Sequence, residues 1–237
     1  SGQQLAQPGL KAKDLVGVPW RVAFALQAEG WYLRSDIVWS KINCMPESVR
    51  DRPTRSHEYL FLLAKSERYY YDARAIGEPL KASSVARLQH GWNGDTQRGY
   101  SPVTCQNHLD RYMGSERAKK QTWRNRRTVW TIASKPFRGA HFAVFPPALV
   151  EPCLLAGTSE RGCCSTCGAP WQRNASRDES AGDDWKPACS CATGESKRCL
   201  VLDPFAGSGT AGVVTLEKER RFLGIEMSPG YCAIAEG

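Results

Sequence analysis

The chain has 237 residues, 41% of them hydrophobic, and a formal net charge of +8. This is enough for one large domain, or a domain with inserts, around a real core. It excludes a membrane-spanning helix, because no apolar run approaches the ~20 residues needed, and its ten cysteines, without a signal-peptide pattern, argue against a disulfide scaffold.

The opening "SGQQLAQPGLKAKDL" is polar and starts without Met, which reads as a cloning scar or as the edge of a longer protein. Residues 14–30, "DLVGVPWRVAFALQAEG", predict a helix. Asp14 or the Pro19 turn starts it, Val18, Val22, Ala25 and Leu26 share one face, and Gly30 ends it. "WYLRSDIVWSK" (31–41) alternates as a strand does. "EYLFLLAKS" (58–66) is a continuous apolar run, as expected for a strand covered on both faces. Such a series belongs inside an α/β sheet.

Residues 73–130 lose that rhythm. They are rich in Gly, Ser, Arg and Gln, carry Trp92, Tyr100, Tyr112 and Trp123, and hold eleven Lys or Arg against four acids. Nearly all the excess charge therefore sits in one quarter of the chain. A polyanion such as nucleic acid is the natural partner, with a solvated basic loop as the alternative. Order returns over 128–158, where Pro147 begins a helix through Leu155 and Gly157 ends it. Residues 160–199 form a second insert, polar and Cys-rich.

The α/β pattern then resumes. Leu200–Leu202 reads as a strand, Ser208–Glu219 as a helix with Thr210, Val213, Val214 and Leu216 inward, and Arg221–Ile225 as a strand. Ser228-Pro229 caps a last helix. Between the first strand and its helix, "LVLDPFAGSGT" (200–210) opens a glycine-rich loop. Gly207, Gly209 and Gly212 spell G-x-G-x-x-G, and Glu226 follows at the end of the next strand. Glycines let a backbone approach a ligand closely, the helix start presents N–H groups to an anionic end, and a carboxylate in that position can accept from both ribose hydroxyls. Asp203 at the strand tip would repel a pyrophosphate but suits an ammonium and a sulfonium. This favours S-adenosylmethionine over NAD. No Lys follows the glycines, so a P-loop is set aside.

Four segments resemble the beta class of DNA amino-methyltransferases, which modify N6 of adenine or N4 of cytosine. "VLDPFAGSGTAG" resembles their motif I, and "FLGIEMSPGY" resembles motif II. "GAHFAVFPPALVEPCLLAG" resembles motif X, and "WSKINCMPESVRDRPTRSHEYLFLLAKSERYYYD" resembles the region of motif VIII. In this class the sequence is permuted, which is what the resemblance implies for a glycine loop with only 27 residues left after Thr210. The implied fold is an α/β, Rossmann-like S-adenosylmethionine-dependent methyltransferase sheet, circularly permuted and truncated, with a basic recognition insert and a Cys-rich insert. The implied division is a target-base half (1–72), a target-recognition region (73–130), a motif X segment (131–159), the Cys-rich insert (160–199) and a cofactor-binding half (200–237).

Carried over by position, Asp203, Pro204, Phe205, Gly207, Ser208, Gly209 and Thr210 would line the cofactor pocket. Glu226 would take the ribose, and His141, Phe142 and Ala143 would flank the cofactor. Phe205 and Phe142 have a core reading of equal weight. His57 and Glu58 either border the base pocket or anchor a loop. Lys119, Lys120, Arg124, Arg126 and Arg127 are the candidates for DNA backbone contact. The family's motif IV, an Asp, Asn or Ser followed by Pro-Pro-aromatic, does not occur in the chain. In the family it holds the target amino group of a base flipped from the duplex, whose lone pair attacks the sulfonium methyl in line. The catalytic residues are therefore expected outside this sequence.

Cys164-x2-Cys167 and Cys189-x-Cys191 could close a tetrahedral structural zinc site, with Cys163 or Cys199 as substitutes and incidental thiols as the alternative. The expectation is an intracellular, cytoplasmic enzyme, bacterial or phage-encoded, acting on DNA and not on membranes. Two rivals remain: an NAD-dependent oxidoreductase, and a zinc-bearing nucleic-acid-binding protein with a vestigial cofactor fold.

Overall fold

A computed structural model describes residues 9–90, 115–134, 144–173, 184–191 and 194–236, the side chains of His90, Glu116 and Arg117 excepted. In chain order the elements are α1 (Val18–Ala28), β1 (Tyr32–Ser40), β2 (His57–Ala64), β3 (Glu78–Pro79), α2 (Ala82–His90), α3 (Glu116–Lys119), β4 (Trp123–Arg124) and β5 (Val129–Thr131). They continue with α4 (Pro147–Gly157), β6 (Cys163–Cys164), β7 (Trp171–Arg173), β8 (Trp185–Pro187), β9 (Ser196–Lys197), β10 (Leu200–Asp203), α5 (Thr210–Glu217), β11 (Arg221–Gly224) and α6 (Pro229–Glu236). These form two compact units, Ser1–Tyr69 with Thr128–Ile132, and Tyr70–Arg127 with Ala133–Gly237. No helix among the described residues is long and apolar enough to cross a membrane.

The first unit is a three-stranded sheet in the order β2-β1-β5, with β1 antiparallel to β2 and parallel to β5. Trp39 and Trp130 are register partners and both are buried. The Trp39 indole N–H donates to the Ile132 carbonyl at 2.8 Å, so burial leaves that polar atom satisfied. α1 covers the sheet through Trp20, edge-on to Tyr59 and Phe61 with ring centroids 5.4 and 4.9 Å apart, and Ala23 is buried. The face expected from the helical pattern is therefore displaced, and Val18 and Val22 are exposed. One indole packed on two rings buries more apolar surface than the valines offer. β2 is likewise not covered on both faces: it lies at the sheet edge and only Ala64 is buried.

In the second unit β10 and β11 pair in parallel, from Leu200↔Arg221 to Asp203↔Gly224, with α5 as the crossover that parallel strands require. α4 packs on α5, and Leu149, Leu154, Ala156, Val214 and Thr215 are buried. Of the α5 residues expected inward, Val214 is buried, but Val213 and Leu216 are exposed. The buried face is Gly212, Val214 and Thr215, because the bare Cα of Gly212 admits the Phe222 ring from β11. A Cβ there would lie 2.8 Å from Phe222 Cε1. Arg220 ties the turn after α5 to the end of α4, its Nε donating to Thr158 Oγ1 at 3.2 Å. The Cys-rich lobe contributes two small antiparallel sheets, β6 with β9 and β7 with β8.

Candidate functional site

The glycine loop joins β10 to α5. Gly209, the residue before α5, has φ +83°, a left-handed conformation open to glycine at little cost. A Cβ there would also press on Ala235 at 3.1 Å. The third glycine, Gly212, serves packing on Phe222 rather than ligand approach. At the strand tip Asp203 accepts the Phe205 N–H through Oδ1 at 3.0 Å and so shapes the first turn of the loop. Phe205 is 87% exposed, which removes its reading as a core residue. Pro204 is exposed, and Ser208 and Thr210 are half-buried.

Glu226 follows β11 and reaches back to the loop. Its Oε1 accepts the Ser228 N–H at 2.8 Å and its Oε2 accepts the Gly207 N–H at 2.9 Å. The Ser228 and Gly207 N–H groups, helped by that of Met227, hold its pKa below the usual Glu value. Each oxygen keeps a second lone pair, so the carboxylate can still accept hydroxyl donors. Ser228 and Pro229 start α6 as expected, with the Cys232 N–H donating to the Ser228 carbonyl at 3.0 Å. His141, Phe142 and Ala143 lie outside the described residues.

In the first unit His57 and Glu58 begin β2. Glu58 pairs with Lys41, the residue just after β1, and the His57 ring meets Tyr59 edge-on at 5.2 Å. Both residues thus have partners within their own unit.

Of the basic candidates, Lys119 and Lys120 are exposed at the end of α3. Arg124 and Arg127 share one carboxylate, with Arg124 Nη2 and Arg127 Nε each 3.0 Å from Glu78 Oε2. Glu78 pairs with Arg124 across β3 and β4, and the Arg127 N–H adds a bond to Oε1 at 3.2 Å. Arg126 is half-buried. Nothing in the sequence marks Glu78 as an anchor, because 46 residues separate it from Arg124.

The four cysteines expected to act together do converge. The sulfurs of Cys164, Cys167, Cys189 and Cys191 all lie within 4.8 Å of one another. The N–H groups of Cys167 and Thr166 point at the Cys164 sulfur and lower its pKa to about 6. Hydrogen bonds shared with Cys167 and Cys189 push Cys191 up to about 12. Cys163 and Cys199, the proposed substitutes, are buried and make other bonds, to the carbonyls of Lys197 and Ser159. The second unit also holds a buried ion pair that the sequence did not reveal. Arg173 Nε is 3.0 Å from Asp72 Oδ2, with side chains 10% and 5% exposed.

A parallel strand–glycine loop–helix–strand unit with an acid closing on the loop is the architecture of a nucleoside-cofactor-binding α/β protein. The DNA methylase family profile, covering N6 and N4 enzymes, matches residues 4–237, and the chain belongs to that family. It is 43% identical over 227 residues to the type II methyltransferase M.Cfr9I of Citrobacter freundii, covering 96% of this chain and 51% of that protein. It is 40% identical over 228 residues to the type II methyltransferase M.SmaI of Serratia marcescens, covering 96% and 53%. The chain thus spans about half the length of these relatives. Among solved structures, the PvuII DNA methyltransferase (cytosine-N4-specific) superposes with a TM-score of 0.53 at 16% identity, over 97% of this chain and 58% of that one, a likeness of fold. These matches favour the methyltransferase reading of the glycine loop over the NAD-dependent one.

Proposed function

We propose that this chain is the cofactor- and DNA-binding portion of a circularly permuted, beta-class DNA amino-methyltransferase. The complete protein transfers a methyl group from S-adenosylmethionine to the exocyclic nitrogen of adenine or cytosine in the bacterial or phage-infected cytoplasm. The observation that carries this reading is Glu226, fixed by the Gly207 and Ser228 N–H groups at the end of β11.

The residues present fit the cofactor. The Glu226 oxygens have acceptor capacity left for two ribose hydroxyls. Asp203 offers a carboxylate to the ammonium, with only Oδ1 engaged by the loop. Exposed Phe205 offers an aromatic face, and the start of α5 offers N–H groups to the carboxylate end. When bound, S-adenosylmethionine supplies an electrophilic methyl on a sulfonium. The chain's own work is to hold and orient that methyl and to shield it from water. His141, Phe142 and Ala143 are assigned to the flank of the same pocket, and His57 and Glu58 to the border of the base pocket. Lys119, Lys120, Arg124, Arg126 and Arg127 are assigned to phosphates, with Glu78 orienting the two arginines it binds. The tetrapeptide that grips the target amino group belongs to a segment outside these 237 residues.

The test is to express the protein with its upstream codons and follow labelled methyl transfer from S-adenosylmethionine into DNA. We expect transfer, and a loss of cofactor affinity of about 100-fold or more for Glu226→Ala, the scale of two hydrogen bonds to a charged acceptor. Replacing Lys119 and Lys120 with Ala should lower the salt dependence of DNA binding by about one unit of log–log slope for each phosphate left without its cation. A flat cofactor titration of the complete protein would sink the reading.

A further inference from the structure

The Cys-rich lobe has too little apolar material to hold its shape. Its strands are two or three residues long and form two-stranded sheets, a size with marginal stability of its own. Something else must fix it, and the backbone shows where.

The "CSTCGAP" turn (164–170) is tightly hydrogen-bonded. The Gly168 N–H donates to the Cys164 carbonyl at 3.0 Å, and the Cys164 N–H donates to the Ala169 carbonyl at 2.8 Å. Lys197 Nζ donates to the Ser165 carbonyl at 3.0 Å, which holds β9 against the turn. Four sulfurs then face one point, two from this turn and two from residues 189 and 191, just beyond β8. Tetrahedral zinc with Zn–S of about 2.3 Å separates its sulfurs by about 3.8 Å. The observed span, within 4.8 Å, needs only a small inward movement to reach that.

The cluster also spans the open end of a hairpin. Cys167 lies shortly before β7 and Cys189 shortly after β8, and Trp171 pairs with Pro187 at that end. Arg173 closes the far end opposite Trp185, with its guanidinium 4.4 Å from the centre of the Trp185 ring. From there it reaches Asp72, whose Oδ1 accepts the N–H groups of Arg74 and Ala75 at 3.1 Å each. Those two residues open the basic segment.

We propose that Cys164, Cys167, Cys189 and Cys191 bind one zinc ion as a closed structural site, and that the ion, by clamping the β7–β8 hairpin, holds Arg173 on Asp72 and so braces the turn from which the basic segment starts. Four thiolates leave no open position for water or substrate, so the ion takes no part in methyl transfer. The role assigned to the brace rests on the DNA-binding reading above, whereas the metal site does not.

The experiment uses the protein purified without chelator. Elemental analysis should give about one zinc per chain. Replacement by Co2+ should give the thiolate-to-cobalt charge-transfer band and the intense visible bands of tetrahedral four-sulfur coordination, a readout that needs neither activity nor a variant. Cys153→Ser and Cys232→Ser should keep the zinc, and Cys189→Ser with Cys191→Ser should lose it. Metal well below one equivalent, a disulfide among these four cysteines, or a cobalt spectrum with nitrogen or oxygen ligands would overturn the site. The brace is tested by removing zinc from the wild type and from Arg173→Leu. The loss of thermal stability should be smaller in the variant, and equal losses would refute the link to Asp72.

Discussion

The glycine loop and the cysteine turn each fold around an anion held by backbone N–H groups. In the loop, Glu226 takes the N–H groups of Ser228 and Gly207. In the turn, the Cys164 sulfur takes those of Cys167 and Thr166. Both acids are strengthened by the same cause. They differ in what surrounds the anion. The loop rests on a parallel strand pair and a packed helix, so its geometry is set before any ligand arrives. The turn rests on fragments of strand, and three more sulfurs crowd the one that is cradled. A site built on regular elements is held by the packing of those elements, whereas one built on short turns has little beyond its own hydrogen bonds to hold it, which is where the proposed zinc would act.

The cysteine lobe is most vulnerable at its base. Arg173→Leu or Asp72→Asn removes one partner of an ion pair whose side chains are 10% and 5% exposed. Stability should fall by about 3–5 kcal/mol for Arg173→Leu, because the buried Asp72 carboxylate is left without its counter-charge. It should fall by less for Asp72→Asn, where Arg173 keeps its pair with the exposed Glu160. Urea denaturation of the variants measures this. A loss below about 1 kcal/mol, the range of exposed pairs, would show that water reaches the pair and that the lobe is not fastened there.

On the loop side the comparable weak point is Gly212. Its Cβ in Gly212→Ala would meet the Phe222 ring at 2.8 Å, so α5 and β11 must separate or the ring must turn. A cost of about 1–3 kcal/mol is expected from overpacking. Phe222→Leu in the same chain should recover part of it, and the double-mutant cycle reads the coupling directly. If the two substitutions simply add, the third glycine has no packing role.

The terminal strand, loop, helix, strand and helix could be read from the sequence within a few residues. Glycines at 207, 209 and 212 and Ser228-Pro229 punctuate it, and the apolar runs between have clear lengths. The four-cysteine cluster was legible for a similar reason, since a short spacing predicts a tight turn. Inward faces were harder. A helical wheel puts Val18 and Val22 on one face and Trp20 on the opposite one, and only the position of Tyr59 and Phe61 decides which face the sheet receives. Likewise Thr215 is buried and Leu216 exposed, because the bare Gly212 lets one side of α5 approach β11. Pairings across long separations left no trace at all. Asp72 and Arg173 are 101 positions apart, and Glu78 and Arg127 are 49 apart. A sequence shows the charges of such pairs but not the fold that brings them together.

The finest test asks whether Glu226 alone fastens the loop. Its folded-state pKa is lowered, so its contribution is fully present above the ordinary Glu value of about 4.3 and is lost only as pH falls through the lower folded value. The amide resonances of Ser228 and Gly207 should therefore titrate together, with a shared midpoint below about 4.3. A midpoint at the ordinary value would mean that the two N–H bonds contribute nothing to the carboxylate. Glu226→Gln puts the same question while keeping the length of the side chain. An amide offers one acceptor oxygen, and its NH2 would face the remaining N–H donor. One of the two amides, Ser228 or Gly207, should then lose its protection from hydrogen exchange while β10 and β11 keep theirs. If both stay protected in the Gln variant, the strand pair and Gly209 shape the loop by themselves, and Glu226 serves the ligand only.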